Sequence, residues 1–448
     1  MNHEDKKKKL EALGVETLAK ALLDLSLHDE RADELMERLM STPDEIIKSF
    51  KAKLSGLKRS RRFIPWGESA GFAKELIFML EDLQAGVRDP CKGAKLVADF
   101  YEIDRSCFER CDDSSGHVGD VFRYEAAAAF SGYACHCEDK DWLAKLLVDL
   151  NSNDEYDVRI HLIERASEFL PETSIREMAA TLDGLACREP EQYRRRHWLH
   201  CVETLAMQMQ DAEMFEKARL ASYEKVSTAT SIDIAKAYLA AGKASISLGW
   251  LDRISPDEKF MAEERDQLLL EIYLVLGNHE GEREVAWRIF KRSRNDSSFK
   301  TLLKVIGEDQ RDVILEREVQ EILQPGEFSY TDAEFLISTG RINETEEYVL
   351  QRSEQINGDF YQWLIPVVEV LESSAKWLGA TVIYRALLDS ILRRARTKTY
   401  PYGVKYLKTL GRISANITDW KSIENHVEYF ERLRQNHGKK TSFWKGFA

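Results

Sequence analysis

Hydrophobic residues recur along the chain every three to four positions, which is the spacing of one face of a helix. The stretch from residue 4 to residue 27 shows the pattern first, and its apolar positions form one stripe: Leu10, Leu13, Val15, Leu18, Ala21, Leu22 and Leu25. No stretch alternates between apolar and polar residues over enough positions to predict a β-strand. Only nine prolines and 23 glycines occur among 448 residues. The pattern therefore predicts an all-α fold.

Four glycines punctuate the region between residues 231 and 353 at steps of 35, 30 and 33 residues: Gly242, Gly277, Gly307 and Gly340. A large apolar residue precedes each glycine by four positions, or one helical turn, and would pack directly above it: Tyr238, Tyr273, Leu303 and Leu336. A glycine in this position favours the left-handed backbone conformation that ends a helix. Each glycine is therefore predicted to close the first helix of a hairpin.

A second amphipathic segment follows each glycine, and each unit then ends in turn residues: Ser255-Pro256, Asn295-Asp296, Pro325-Gly326 and Asn357-Gly358. A helix–turn–helix unit with a period of about 34 residues is typical of tetratricopeptide-like and related α-solenoids. The aromatic-to-glycine spacing agrees with the tetratricopeptide consensus, whereas its later Tyr, Ala and Pro positions are mostly absent. We predict a tetratricopeptide-like α-solenoid with an N-terminal helical domain. An irregular helical domain with coincidentally spaced glycines is the alternative.

These patterns divide the chain into three parts. Residues 1–62 contain N-terminal helices and a basic segment, residues 63–190 form a helical domain with a polar loop, and residues 191–448 form the solenoid. One helix start is clear in the first part. Thr42 is suited to cap the helix, Pro43 to occupy its first position, and Glu45 to complete a capping box.

Composition and charge exclude several classes of protein. The net charge is −13 and the pI is about 5.5, which argues against a protein that coats nucleic acid along its whole surface. The first ten residues contain no apolar core of a signal peptide. No apolar run reaches the length of a membrane span. Seven cysteines without framework spacing fit a reducing cytosol. We expect a cytoplasmic protein without membrane partners.

Two segments resemble a family of bacterial helical proteins of unknown function. They are Ser60-Arg61-Arg62-Phe63-Ile64-Pro65-Trp66 and residues 108–122, and the opening Leu10 to Leu25 is similar as well. Residues 380–395 and 402–410 resemble the helical region that follows bacterial SWIM zinc-finger modules. The SWIM zinc pattern itself is absent, because no Cys-x-His follows Cys135-His136-Cys137. The resemblance therefore implies a helical fold, but it implies neither a zinc site nor a catalytic activity for this chain.

The most polar turn of the chain lies inside the second of these segments. Its candidate contact residues are Asp112, Asp113, Ser115, Gly116, Gly119 and Asp120. The carboxylates could hold a hard cation such as Mg²⁺ or Ca²⁺, although the spacing of a calcium-binding loop is not met. Alternatively, the Asp and Ser side chains simply cap helix ends. We regard this loop as the first candidate for a specific contact.

Four cysteines are candidates for a zinc site: Cys107, Cys111, Cys135 and Cys137. Two facing helices could present four thiolates in a tetrahedron, with His117 or His136 as substitutes. The chain lacks the turn-based Cys-x-x-Cys knuckles that zinc sites usually use. Buried free cysteines, which are common in helical cores, are the alternative interpretation. We predict no cofactor, with zinc kept as a hypothesis.

Two further patterns suggest enzymes. The stretch from Gly67 to Gly71 matches the G-x-S-x-G nucleophile pattern, but that pattern needs a strand-turn-helix elbow in a sheet. We interpret it as a helix start near Ser69. His197, His200 and Cys201 share one helix face, but no carboxylate completes a catalytic set, and we interpret them as a polar helix face.

Basic residues cluster in two segments, residues 51–62 and residues 393–445. The first contains the candidate phosphate contacts Lys58, Arg59, Arg61 and Arg62, and has no acidic residue between Lys51 and Arg62. Solvated surface charge is the alternative for both segments.

Three functions follow from these patterns, and the preferred one is a non-enzymatic protein-interaction scaffold or adaptor. The first alternative is a nucleic-acid-associated accessory protein that uses both basic segments. The second is a metal-dependent enzyme that uses residues 107–137.

Overall fold

The computed structural model describes residues 3–29, 36 and 40–447. In this part of the chain the secondary structure is helical and contains no β-strand, and pairing of extended backbone is limited to one parallel bridge between Ile64 and Cys111. The all-α prediction is therefore confirmed. Within the same described ranges, none of the helices combines the length and the apolar composition needed to cross a membrane.

The chain divides into two compact units, Met1–Pro256 and Asp257–Ala448. This division falls at neither of the predicted boundaries, which follow residues 62 and 190, and the three-part division stays a prediction. The helices of the first unit are α1 (His3–Glu11), α2 (Val15–Ser26), α3 (Pro43–Arg59), α4 (Trp66–Gly86), α5 (Pro90–Tyr101), α6 (Asp104–Phe108), α7 (His117–Asp120), α8 (Ala127–Ala134), α9 (Lys140–Asn151), α10 (Ile160–Glu164), α11 (Glu172–Arg188), α12 (Gln192–Gln208), α13 (Ala212–Ser222), α14 (Thr228–Ala240) and α15 (Ala244–Leu251).

A π-helical segment, Val121–Ala126, joins α7 to α8, and a 3₁₀ turn, Ala166–Glu168, follows α10. The helices of the second unit are α16 (Ala262–Leu276), α17 (His279–Arg292), α18 (Asp296–Ile306), α19 (Arg311–Leu323), α20 (Tyr330–Ser338), α21 (Ile342–Gln351), α22 (Tyr361–Ser373), α23 (Trp377–Arg394), α24 (Tyr400–Ser414), α25 (His426–His437) and α26 (Thr441–Phe447). Its 3₁₀ turns are Glu308–Gln310, Ser353–Gln355, Gly358–Phe360 and Thr397–Thr399.

The predicted capping box at the start of α3 is confirmed. The Thr42 hydroxyl accepts a hydrogen bond from the Glu45 N–H at 3.4 Å, and the Glu45 carboxylate accepts one from the Thr42 N–H at 2.8 Å. Pro43 occupies the first helical position. Ile46, Ile47, Phe50 and Leu54 then form the buried stripe of α3, so local capping and burial favour the same helix.

Three of the four turn glycines adopt the predicted left-handed helical conformation. The angle is +73° at Gly242, +67° at Gly277 and +76° at Gly340. Gly307 differs, because its φ of +107° and ψ of 137° lie outside the left-handed helical region. A 3₁₀ turn starts immediately after it, so the chain enters a second short turn here instead of closing α18 as the other hairpins do.

Each unit has its own aromatic-rich core. In the first unit, Phe100 and Phe122 are completely buried and their ring centroids lie 5.1 Å apart. In the second, Phe290 and Phe299 lie 5.5 Å apart, and Phe335 lies 5.6 Å and 5.5 Å from these two rings. These clusters bury large apolar areas and so provide most of the stabilisation of each unit.

A disulfide joins Cys91, in the first turn of α5, to Cys137, which follows α8. The two residues are 46 positions apart in sequence, and their Cα atoms lie 4.9 Å apart. The expectation that the cysteines stay reduced is therefore wrong for this pair, because sequence spacing does not show which cysteines meet in space. The remaining free thiols are Cys107, Cys111, Cys135, Cys187 and Cys201.

Candidate functional site

Two distant segments of the first unit are joined by a short stretch of paired backbone. The Ile64 N–H donates to the Arg110 carbonyl at 2.8 Å, and the Asp112 N–H donates to the Ile64 carbonyl at 2.9 Å. Ile64 is 7% exposed and lies in the hydrophobic core. The two segments that resemble a family in sequence are therefore one site in space, although more than 40 residues separate them.

The polar loop from Asp112 to Asp120 forms the start of α7. Both oxygens of the Asp113 carboxylate accept backbone hydrogen bonds, from Val118 at 2.9 Å and from Gly119 at 2.8 Å. The φ of +77° at Gly116 lets the loop turn into the helix. Glycine is needed at position 116 because a residue with a side chain would be strained at this positive φ.

The other loop carboxylates also have local partners. Asp112 accepts hydrogen bonds from the Ser114 N–H at 3.2 Å and its hydroxyl at 2.5 Å, and these bonds lower the pKa of the Asp112 carboxyl. Asp120 lies 3.7 Å from the Arg123 guanidinium. Across the described ranges, no group of three or more His, Cys, Asp or Glu side chains could hold a metal ion. Asp112 and Asp113 therefore hold backbone N–H groups and Asp120 faces Arg123, so the described loop offers no cluster of ligands for a hard cation.

A buried arginine lies two residues before this loop in the chain. Arg110 is 9% exposed, and its guanidinium carbon lies 4.9 Å from the centroid of the Phe72 ring. Its Nε and Nη2 are buried and have no hydrogen-bond partner among the described residues. A guanidinium is expensive to bury without a partner, so the contact with the ring stabilises it only in part.

The four cysteines of the zinc hypothesis do not meet as ligands. Cys137 is bonded to Cys91, and Cys135 is exposed, with its sulfur 3.4 Å from the Glu168 carbonyl. Burial raises the pKa of the Cys107 thiol to about 12 and also raises the pKa of Cys111. Zinc binds the thiolate, and the surroundings of Cys107 and Cys111 disfavour that form. Cys137 is already oxidised in the disulfide.

The two enzyme-like patterns have structural roles. Ser69 lies inside α4 and is 1% exposed, and its hydroxyl donates to the Trp66 carbonyl at 2.8 Å. The same hydroxyl lies 3.3 Å from that of Ser115, so it ties the helix to the polar loop. A catalytic nucleophile must be accessible to its substrate, whereas the Ser69 side chain is buried. As expected, a helix starts here, but it begins at Trp66 rather than Ser69.

The predicted histidine face is also structural. The His197 ring nitrogen Nε2 lies 3.0 Å from the Asn151 carbonyl and 3.9 Å from the Cys201 sulfur. His200 points away from this contact and lies 3.6 Å from the Glu203 carboxylate. The described contacts therefore anchor α12 to the end of α9.

The basic residues beside the bridge fall into two classes. Lys58 pairs with Glu102 at 2.8 Å, which lowers the pKa of the Glu102 carboxyl, and Arg62 pairs with Glu68 at 2.6 Å. Arg59 donates to the Ser55 carbonyl in its own helix. Neither Arg59 nor Arg61 forms an ion pair with a described residue. Two of the four candidate phosphate contacts are thus already neutralised.

Two large aromatic residues next to these arginines are exposed. Phe63 is 61% and Trp66 is 63% exposed. They flank Ile64, whose backbone is fixed by the bridge to Arg110 and Asp112. Sequence reasoning quoted both residues only as part of a resemblance. A stronger signal was available, since two aromatics next to three arginines and a proline are unusual for a simple helix connection.

One comparison with known proteins identifies a family. A family model described as a family of unknown function, DUF6880, matches residues 4–446. A search of the curated proteins found no match. The resemblance of residues 380–410 to the region after SWIM zinc fingers stays a prediction. The match extends over nearly the whole chain, and the protein therefore belongs to the family of unknown function DUF6880.

Proposed function

We propose that this chain is a non-enzymatic helical interaction protein, and that its first unit binds a peptide segment of another protein. The binding site is the Phe63–Trp66 surface, which we define as Phe63, Trp66, Arg59 and Arg61 together with the Asp112–Asp120 loop. The observation that carries the proposal is the exposure of Phe63 and Trp66 on backbone held by two hydrogen bonds.

Exposed aromatics of this size are suited to recognition. Trp and Arg are enriched among the residues that dominate the binding energy of protein interfaces. An aromatic ring offers a large contact area and loses little conformational entropy when it is bound. Because the bridge to Ile64 already fixes the backbone between the two rings, binding would lose less entropy than with a mobile loop.

The charges beside the rings favour a peptide over a nucleic acid. Arg59 and Arg61 form no ion pair with a described residue and can meet carboxylates, but the neighbouring loop presents Asp112 and Asp113, whose charges no described cation balances. A phosphate backbone passing over this region would meet these negative charges. A peptide can place an acidic residue against the arginines and apolar residues against the rings. We therefore propose a partner segment that combines both residue types.

A helical-repeat arrangement of residues 231–353 is part of the same proposal. Positive φ at Gly242, Gly277 and Gly340 supports it, as does the packing of α14 on α15 and of α16 on α17. Stacked hairpins of this kind form extended surfaces that other proteins bind. A cytoplasmic location stays a prediction, and the Cys91–Cys137 disulfide runs against it, because disulfides are rare in a reducing cytosol.

A peptide-display library selected on the purified full chain tests this function. We expect peptides with acidic and apolar residues, and an affinity loss of about 30-fold in Trp66→Ala, which corresponds to about 2 kcal/mol. Phe78→Ala is the matched control, since Phe78 is 54% exposed in the same unit and lies outside the surface. Peptides that bind a Phe63→Ala/Trp66→Ala variant as tightly as the unaltered chain would refute the proposal.

A further inference from the structure

Charge is distributed very unevenly within the second unit. Residues 257–392 contain 15 Lys and Arg against 27 Asp and Glu, a net charge of −12. Residues 393–448 contain 13 Lys and Arg against 4 Asp and Glu, a net charge of +9. Such a division inside one compact unit is not needed for solubility, and it concentrates like charges that repel one another.

Most of the cations between residues 393 and 447 have no anionic partner among the described residues. Arg393 and Arg394 pair with Asp359, and Arg412 pairs with Glu372. Arg432 pairs with Glu424 at 3.0 Å. No ion pair with a described residue is formed by Arg396, Lys398, Lys405, Lys408, Lys421, Lys439, Lys440 or Lys445. The acidic part of the same unit therefore neutralises only a minority of these charges.

Two of the unpaired lysines, Lys405 and Lys408, lie on α24, which packs against α26. A Cβ atom added at Gly403 would lie 3.1 Å from the Phe443 ring, and one at Gly446 would lie 3.3 Å from Val404. The residues around Val404 on α24 line a shallow depression: Pro401, Lys405, Lys408, Thr409 and Arg412. We call Lys405, Lys408 and Arg412 the basic face.

The basic face has the form of a row of cations with an aromatic ring at one end. Lys405, Lys408 and Arg412 lie three and four residues apart on α24, a row about 10 Å long. Tyr402 is 61% exposed and lies one turn before Lys405. The N-terminus of α24 adds a positive dipole end next to Arg396 and Lys398. A row of cations suits a linear polyanion, and an exposed ring suits base stacking.

We propose that the basic face binds single-stranded nucleic acid, with the unpaired Lys405 and Lys408 on phosphates and Tyr402 stacked on a base. A membrane surface suits the face less well, because insertion needs large apolar side chains. Between residues 393 and 447, the exposed large hydrophobic residues are Tyr402 and Val427. The face lies in a different unit from the Phe63–Trp66 surface, so the proposal does not depend on the peptide-binding function.

Fluorescence anisotropy with a labelled single-stranded RNA and a DNA of the same sequence, titrated at several salt concentrations, tests this inference. We expect binding at low salt that weakens log-linearly as salt rises. The Lys405→Gln/Lys408→Gln variant should weaken binding about tenfold and reduce the salt slope by about 1.4, since each phosphate contact on a single strand contributes about 0.7. Tyr402→Ala should weaken binding without a change of slope.

The Lys300→Gln/Lys304→Gln variant is the matched control. It removes the same charge from two exposed positions of another helix of the same unit, α18, where Lys300 pairs with Asp296. Equal losses in the two double variants would show a diffuse charge effect and overturn the proposal, as would absence of binding at low salt. Tighter binding to vesicles of anionic lipid than to either oligonucleotide would assign the face to a membrane and overturn it as well.

Discussion

The Phe63–Trp66 surface and the basic face contain similar residue types but differ in how their charges are balanced. Beside Phe63, two of the four basic residues already pair with carboxylates, Lys58 with Glu102 and Arg62 with Glu68. On the basic face, Lys405 and Lys408 are unpaired among the described residues. Binding at the first surface should therefore depend on apolar contact and respond weakly to salt, and binding at the second should depend on phosphate contacts and respond strongly.

The two surfaces also differ in what supports them. The Phe63–Trp66 surface rests on a core that contains a buried ion pair and a disulfide, Asp104 with Arg159 and Cys91 with Cys137. The basic face rests on aromatic packing between α24 and a seven-residue terminal helix. Removing one support at a time shows which of the two surfaces is held more firmly.

The largest effect should follow loss of the buried ion pair. Arg159 donates to both Asp104 oxygens, at 2.7 Å and 2.9 Å, and to the carbonyls of Leu150 and Tyr101. We expect Arg159→Leu to lower the free energy of unfolding by about 3 to 5 kcal/mol, because it leaves a carboxylate buried without a partner. Urea denaturation measures this loss.

The control for that variant is Arg105→Gln. Arg105 pairs with Glu155 at 2.9 Å, but both side chains are more than half exposed. Removing it should cost less than about 1 kcal/mol. Similar losses in the two variants would show that the buried ion pair stabilises the first unit no more than an exposed ion pair does.

Truncation of Phe443 should have the next largest effect. This side chain is 0% exposed, and its ring lies edge-on to Tyr400 with centroids 5.7 Å apart. We expect Phe443→Ala to cost about 3 kcal/mol of local stability and to release α26. Amide hydrogen exchange in residues 441–447 should then approach that of an unfolded peptide. Ser442→Ala, at an exposed position of the same helix, should leave the exchange unchanged.

Loss of the disulfide should cost about 2 to 4 kcal/mol in a Cys91→Ser/Cys137→Ser variant, since the bridge closes a long loop. Thermal unfolding without reductant measures it. Under the same conditions, the unaltered denatured chain should show five free thiols, which leaves two of the seven cysteines bonded. Seven reactive thiols in native preparations would show that the pair is reduced in solution.

Local signals in the sequence predicted the local structure well. The helical periodicity, the capping box at Thr42 and the turn glycines at Gly242, Gly277 and Gly340 all concern residues within a few positions of one another. Gly307 shows the limit of this reasoning. Its sequence context matches the other three glycines, but the 3₁₀ turn that follows it changes the backbone angle required.

The candidate site depended on contacts that no local pattern predicts. The bridge between Ile64 and Arg110 and the Cys91–Cys137 bond each join residues about 46 positions apart. Sequence reasoning located the polar loop and left two roles open for its carboxylates, a cation site and helix capping. The structure uses both oxygens of Asp113 to hold backbone N–H groups. A single sequence shows which residues carry charge, but the fold decides which of those charges are already paired.

The smallest expected effect concerns two histidines near the C-terminus of the chain. Burial lowers the pKa of His426, and the nearby Arg385 guanidinium lowers it further. Burial and then Lys440 lower the pKa of His437. Above the unfolded value of about 6.5, both imidazoles are neutral whether the chain is folded or unfolded. As pH falls through that value, the unfolded chain binds protons first, so stability is lost.

The loss should stay below about 1 kcal/mol for each histidine, because both side chains keep some contact with solvent. Urea denaturation near pH 7.5 and near pH 5.5 measures the difference, which His426→Asn should reduce. His279→Asn is the control, since the His279 side chain is 78% exposed on α17. A pH dependence that His426→Asn leaves unchanged would place its source elsewhere. A reduced dependence would show that the burial of His426 in the folded chain contributes to the loss of stability at low pH.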